Sequence, residues 1–174
     1  MKSMKTQGWD LAAWGFVLYV GASLLSALIP GIALLSTVGL ILFLIGLYQI
    51  GQAFQKPNIF TDQLIGRAIL WIGLFLTGGT IAAGVVRNLN QGELSLSSIL
   101  AGTLIFWLFS VAAAWFIRRS FKTLAEASRR PLFSLAGDLI FWGAVAGIIL
   151  VGYLVVLAGE VAALIAFFQG PAEA

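Results

Sequence analysis

The sequence predicts an all-α bundle of six transmembrane helices, arranged as three hairpins in a single domain over residues 1–174. Three observations carry that prediction. Apolar residues make up 60% of the 174 and charged residues only 10%, well below the quarter that water-facing domains carry. Apolar runs of about 20 residues, enough to cross a hydrocarbon core of about 30 Å at 1.5 Å per residue, alternate with short polar or turn-forming breaks. With the amino terminus inside, Lys2, Lys5, Lys56, Arg67, Arg118, Arg119, Lys122, Arg129 and Arg130 all fall on the cytoplasmic side and only Arg87 faces out, as the retention of cations requires.

The first helix is expected over about Asp10 to Ile29, ended by Pro30-Gly31. No small-residue cleavage site of the A-x-A type follows it, so it reads as a retained span and not a signal sequence. The second runs from about Ile32 to Phe54 and is interrupted by Lys56-Pro57-Asn58. Thr61 or Asp62 can cap a third helix over about Gln63 to Val86. A polar loop from Arg87 to Ser97 follows. The fourth helix covers about Ser98 to Ile117 and continues as an amphipathic segment to Ser128, where Glu126 and Arg130 are spaced to pair. Pro131 ends it and starts the next. As one helix, Leu132 to Gln169 would be about 57 Å long, nearly twice the hydrocarbon thickness. Two helices, about Leu132 to Leu150 and Tyr153 to Gln169, fit better; the alternative is five helices with a long last one.

Gly21 and Gly31 stand ten apart, as do Gly137 and Gly147, and Gly39 precedes Ile45-Gly46-Leu47-Tyr48-Gln49 as Gly159 precedes Ile165-Ala166-Phe167-Phe168-Gln169. A duplicated hairpin would leave this pattern, and so would chance recurrence of Gly and Leu in apolar sequence. The segments Asn58-Ile59-Phe60-Thr61-Asp62-Gln63-Leu64-Ile65-Gly66, Phe121-Lys122-Thr123-Leu124-Ala125-Glu126 and Leu132-Phe133-Ser134-Leu135-Ala136-Gly137 join a Gly-rich final hairpin ending Ala166-Phe167-Phe168. Together they resemble the family of small prokaryotic membrane proteins catalogued as domain of unknown function 996, from the first hairpin to Gln169. The resemblance implies a polytopic membrane protein and supplies no activity, substrate or catalytic residue.

Absence of cysteine and histidine removes thiolate nucleophiles, disulfides and imidazole-based metal or acid–base chemistry, so no cofactor or metal is expected. No phosphate-cradling or nucleophile-elbow motif is present. The net charge of +3 is read as a topology signal and not as nucleic-acid binding.

Glu160, near the middle of the sixth helix, is the sharpest candidate, since an acidic group at that depth costs about 2.5 to 3.5 kcal/mol to insert. It serves either as a proton or cation site or as a hydrogen-bonded clip between helices. Asp138 and Arg67, near the inner surface, are expected to pair with one another, as a structural tie between helices or else as a gate or an anion site. Arg118, Arg119, Lys122, Arg129 and Arg130 can contact anionic lipid or act as topology determinants alone. The six tryptophans are read first as interfacial anchors. Gly143 with Gly147 in a GxxxG, Gly78 and Gly79 with Ala82 and Ala83, and Gly159 with Ala163 suit close helix packing, within the bundle or against a second copy or another subunit.

The leading functional expectation is a non-catalytic accessory or structural component of the prokaryotic plasma membrane, with both termini cytoplasmic and lipid or other membrane subunits as partners. A small transporter or channel built on Glu160 is the alternative. An intramembrane enzyme ranks last, because no nucleophile and base can be named.

Overall fold

The computed structural model describes residues 4–26, 28–88, 96–149 and 151–170, and all of its regular structure is helical. Six helices follow in order: α1 Met4–Leu25, α2 Ala33–Ala53, α3 Asn58–Asn88, α4 Leu96–Ser128, α5 Pro131–Val145 and α6 Val151–Phe168. Short 3-10 turns, Pro30–Ile32 and Ala146–Ile148, precede α2 and follow α5. All six are long and apolar enough to cross a membrane, counting Pro131–Ile148 as one span. Lys2 and the polar loop's Asn90, Gln91, Gly92 and Glu93 lie outside the described residues, as do the expected boundary at Leu150 and the side chains of Lys5 and Arg87.

The turns explain where the helices end. After α2, Gln55 adopts a left-handed φ of 54°, Lys56 N–H donates to Gly51 O at 2.8 Å and Gln55 N–H donates to Gln52 O at 3.1 Å. This is a Schellman cap, which satisfies the last carbonyls of the helix. After α4 the same device recurs, with Arg129 at φ 56° and Arg130 N–H on Ala125 O at 3.2 Å. Each cap is followed by one cation and a proline, Lys56-Pro57 and Arg130-Pro131, and the residue two beyond each proline, Ile59 or Phe133, is fully buried. At the carboxyl end of α6 the Arg130 guanidinium donates to the carbonyls of Gly170 (Nε, 3.1 Å) and Gln169 (Nη2, 3.2 Å).

Two expectations are corrected at these turns. The third helix begins at Asn58, five residues before Gln63, because Pro57 starts it directly; Thr61 and Asp62 lie inside the helix and do not cap it, and Thr61 Oγ1 donates back to Pro57 O. Arg130 does not pair with Glu126, because the left-handed Arg129 takes it out of helical register and turns it toward α6.

Consecutive helices run antiparallel in three hairpins. The α1/α2 seam is held by glycines whose missing side chains admit the opposite backbone: a Cβ on Gly15, Gly39 or Gly46 would stand within 2.4 Å of Phe43 N, Tyr19 N or Ala12 N. In lipid, where burial supplies no drive between helices, close backbone approach and dispersion do this work. The hairpins meet at one end, where Phe16, Phe43, Phe121, Phe133 and Phe167 are almost wholly buried and Trp9 joins them at 3% exposure. Their ring centroids lie 4.8 to 5.9 Å apart for Phe133–Phe167, Phe16–Phe43, Trp9–Phe133 and Phe16–Phe167, within the range of favourable aromatic packing. Trp9 is thus a core residue and not an interfacial anchor. Leu34, Phe75 and Leu154 are exposed on the outer faces, as suits contact with lipid.

Candidate functional site

Beyond the aromatic cluster the helices part around a cavity of about 190 Å³. Its walls come from five helices: Tyr19 of α1, Arg67 of α3, Trp107 and Ser110 of α4, Gly143 of α5, and Tyr153 and Glu160 of α6. A second cavity of about 350 Å³ lies between α1, α2, α3 and α4, lined by Ser23, Ser36 and Thr37 among others. Tyr19, Arg67, Leu70 and Phe106 belong to both and form the partition between them.

Arg67 is the centre of this arrangement. Because α3 starts at Asn58, Arg67 lies nine residues along it, about 13 Å from the helix start and not one turn from the surface. It is 7% exposed. Nη1 donates to the Tyr19 hydroxyl at 2.6 Å, and the guanidinium carbon sits 4.5 Å from the centroid of the Tyr19 ring. Nε is buried without a partner, and so is Ser110 Oγ on the facing helix. Gln63, one turn before Arg67 on α3, is also fully buried with both amide atoms unpartnered.

Glu160 lies eight residues before the end of α6, about 12 Å along it, so it stands at nearly the same depth as Arg67. Arg67 lines the same cavity. Among the described residues no ion pair within 4 Å joins them, and the Glu160 carboxyl group has no hydrogen-bond partner. The guanidinium and the carboxyl group line one cavity without forming an ion pair.

Asp138 does not pair with Arg67. Its Oδ1 accepts from Arg118 Nε at 2.6 Å and lies 3.3 Å from Lys122 Nζ, tying α5 to α4. The reason is geometric: Asp138 follows Pro131 by two turns, at the middle of α5, and faces Arg118 and Lys122 of α4, whereas Arg67 is drawn to Tyr19. Arg118 also lies over the Phe141 ring at 5.0 Å, and Arg119 Nε is 3.3 Å from Asp62 Oδ2, tying α4 to α3. Of the five cations expected to face anionic lipid, Arg118, Arg119, Lys122 and Arg130 therefore have partners within the chain. Arg129 has none among the described residues.

The small residues divide. A Cβ on Gly143 would meet Val156 N at 2.6 Å, and one on Gly159 would meet Ile140 Cγ1 at 2.8 Å, so both sit at the α5/α6 crossing as expected. Gly147 has only Trp107 Cδ1, at 4.0 Å. Gly78 and Gly79 meet nothing within 4 Å: that face of α3 turns away from α4, which α3 contacts instead through Gly66 and Gly73. Sequence reasoning missed Tyr19, Ser110, Gln63 and the hydroxyls of the second cavity, where Ser23 Oγ and Ser36 Oγ are 2.7 Å apart. The available signal was polar groups inside apolar runs, with Gln63 and Arg67 four apart on one helix face. Trp107, read as an anchor, donates Nε1–H to Val145 O at 3.1 Å and lines the cavity.

Comparison with known proteins adds the chain's relations. The family model described as a protein of unknown function (DUF996) matches residues 35–161, a span that includes Arg67 and Glu160. An uncharacterized protein of Methanocaldococcus jannaschii, MJ1644, is 28% identical over 154 residues, covering 86% of this chain and 85% of the relative. No solved structure matches.

Proposed function

Since the chain belongs to the DUF996 family, whose description assigns no activity, we propose from the geometry that it is a small membrane carrier whose substrate site is the cavity between Arg67 and Glu160. One observation carries the reading: a guanidinium and a carboxyl group at matched depth line one cavity without pairing directly. Ionisable groups within spans are costly, and such groups typically mark substrate or ion pathways. The reading is of a carrier and not an enzyme, with no cysteine or histidine in the chain and its polar groups suited to binding and proton exchange. The cation distribution supports placing the aromatic, basic end and both termini in the cytoplasm of a prokaryotic cell.

The absence of cysteine makes the test direct, because a single introduced thiol is the only one in the chain. Ser110→Cys places it in the cavity and Leu34→Cys on the lipid-facing surface. A small membrane-impermeant methanethiosulfonate, applied to either face of oriented vesicles, should modify Ser110→Cys from both sides and Leu34→Cys from neither. Labelling of Ser110→Cys from one face only, or from neither, would refute the carrier.

A non-catalytic accessory role in a homo-oligomer or larger complex is the second reading. It draws on Gly78 and Gly79, where an added Cβ would meet nothing within 4 Å among the described residues. Native mass spectrometry in mild detergent, with a stoichiometric companion retained, would favour it.

A further inference from the structure

We propose that the cavity takes a small monocarboxylate together with one proton, the carboxylate seated on Arg67 and the proton on Glu160. This rests on the cavity being the substrate site, and it follows from charge balance within it. A guanidinium remains ionised in a protein, so Arg67 brings a permanent positive charge into the bundle. Its hydrogen-bond partner, the Tyr19 hydroxyl, is neutral and leaves that charge uncompensated, while Nε has no partner at all. A buried cation of this kind calls for an anion.

The titratable and charged groups lining the cavity are Tyr19 on α1, Arg67 on α3, and Tyr153 and Glu160 on α6; α4 and α5 contribute none. Glu160 is therefore the one acidic group of the lining that can act as counter-charge. It is not in contact with Arg67, and the space between them is where a second carboxylate fits. Such a group can accept from the guanidinium fork, and Ser110 Oγ is a further unpartnered polar atom beside it. Two carboxylates facing one guanidinium cannot both stay ionised without penalty, so arrival of the ligand's anion drives a proton onto Glu160. One anion and one proton enter, the proton bonds to a Glu160 carboxyl oxygen, and the net charge of the cavity is unchanged. A cationic ligand would meet Arg67 as a like charge.

Size and walls narrow the class. An apolar cavity of about 150 Å³ accommodates benzene. At about 190 Å³, with Phe106, Trp107 and Tyr153 among its walls, this one has room for a body of one ring plus a carboxylate. Benzoate is accordingly the probe, with benzyl alcohol and benzylamine as neutral and cationic counterparts of the same shape.

The experiment is isothermal titration calorimetry of the full chain in detergent, blanked against protein-free micelles, in two buffers of different ionisation enthalpy from pH 6 to 8. Wild type should bind benzoate in preference to the other two probes and take up about one proton per anion, its affinity falling about tenfold per pH unit wherever Glu160 is ionised. Glu160→Gln, which imitates the protonated acid, should keep benzoate binding while losing both the proton uptake and the pH dependence. Arg67→Gln should lose it. Should Arg67→Gln fail to fold, the probe series and Glu160→Gln decide the matter alone. Benzoate binding without proton uptake in wild type overturns the coupling, and preference for benzylamine or benzyl alcohol overturns the anion; in each case the carrier reading survives. Binding of none of the three overturns this proposal, and only the two-sided labelling of Ser110→Cys then decides whether the carrier reading falls with it.

Discussion

Replacing Gly39 by alanine should drive the first two helices apart, and the structure sets the size of the effect. The new Cβ would stand 2.4 Å from Tyr19 N, 2.8 Å from Leu18 C and 2.9 Å from Gly15 O, all backbone atoms that cannot swing aside. Ordinary contact begins near 3.4 Å, so the seam must open by about 1 Å. With roughly 30 to 40 atom pairs across it, each worth about 0.1–0.2 kcal/mol and losing a quarter to a half of its well, the loss is about 1–3 kcal/mol. Measured overpacking in cores falls in the same range, about 1–3 kcal/mol. Gly78→Ala is the control, since nothing lies within 4 Å of its Cβ and alanine favours the helix by about 0.5–1 kcal/mol. The assay is the apparent melting temperature in detergent, read by size-exclusion chromatography after heating. Gly39→Ala should fall by about 2–12 °C and Gly78→Ala should hold or rise. Equal stability of the two variants would refute the claim that backbone approach, and not general apolar packing, holds the hairpin.

Three further outcomes follow from named contacts. Tyr19→Phe removes the hydroxyl that accepts from Arg67 and leaves a second guanidinium nitrogen unpartnered, so it should lower stability by about 1–3 kcal/mol in the same melting assay. Phe133→Ala empties the ring at the meeting of the hairpins and should cost about 3–5 kcal/mol, seen as loss of the monodisperse peak at moderate temperature. The pair Arg118–Asp138 is partly exposed, with side chains 22% and 36% accessible, so a double-mutant cycle with Arg118→Gln and Asp138→Asn should give a coupling of only about 1 kcal/mol or less, weakening in high salt.

Six spans, their three hairpins and the presence of a break in the last apolar stretch were legible in the sequence, because crossing a hydrocarbon layer demands about 20 apolar residues and backbone polar groups satisfied within each helix; the break comes earlier than Leu150, since α5 ends at Val145. Pro131 marked the start of α5 by local chemistry alone, whereas Pro57 was read only as a break and the start of α3 was placed five residues late, and the left-handed caps at Gln55 and Arg129 had no glycine to announce them. Glu160 was found by the same one-dimensional reasoning, as a charge where charge is costly. The cation that shares its cavity was not, since linear spacing says how deep a residue lies but not which face of its helix it occupies or which helix stands opposite. That is why Arg67 was assigned to Asp138 when it reaches Tyr19 and shares a cavity with Glu160. For the same reason Gly78 and Gly79 looked like packing residues and face outward, while Gly15, Gly39 and Gly46 carry the close α1/α2 crossing. Span number and charge depth are properties of the chain read in order; cavities and seams belong to the rotation of each helix about its axis, which only packing against the other five decides.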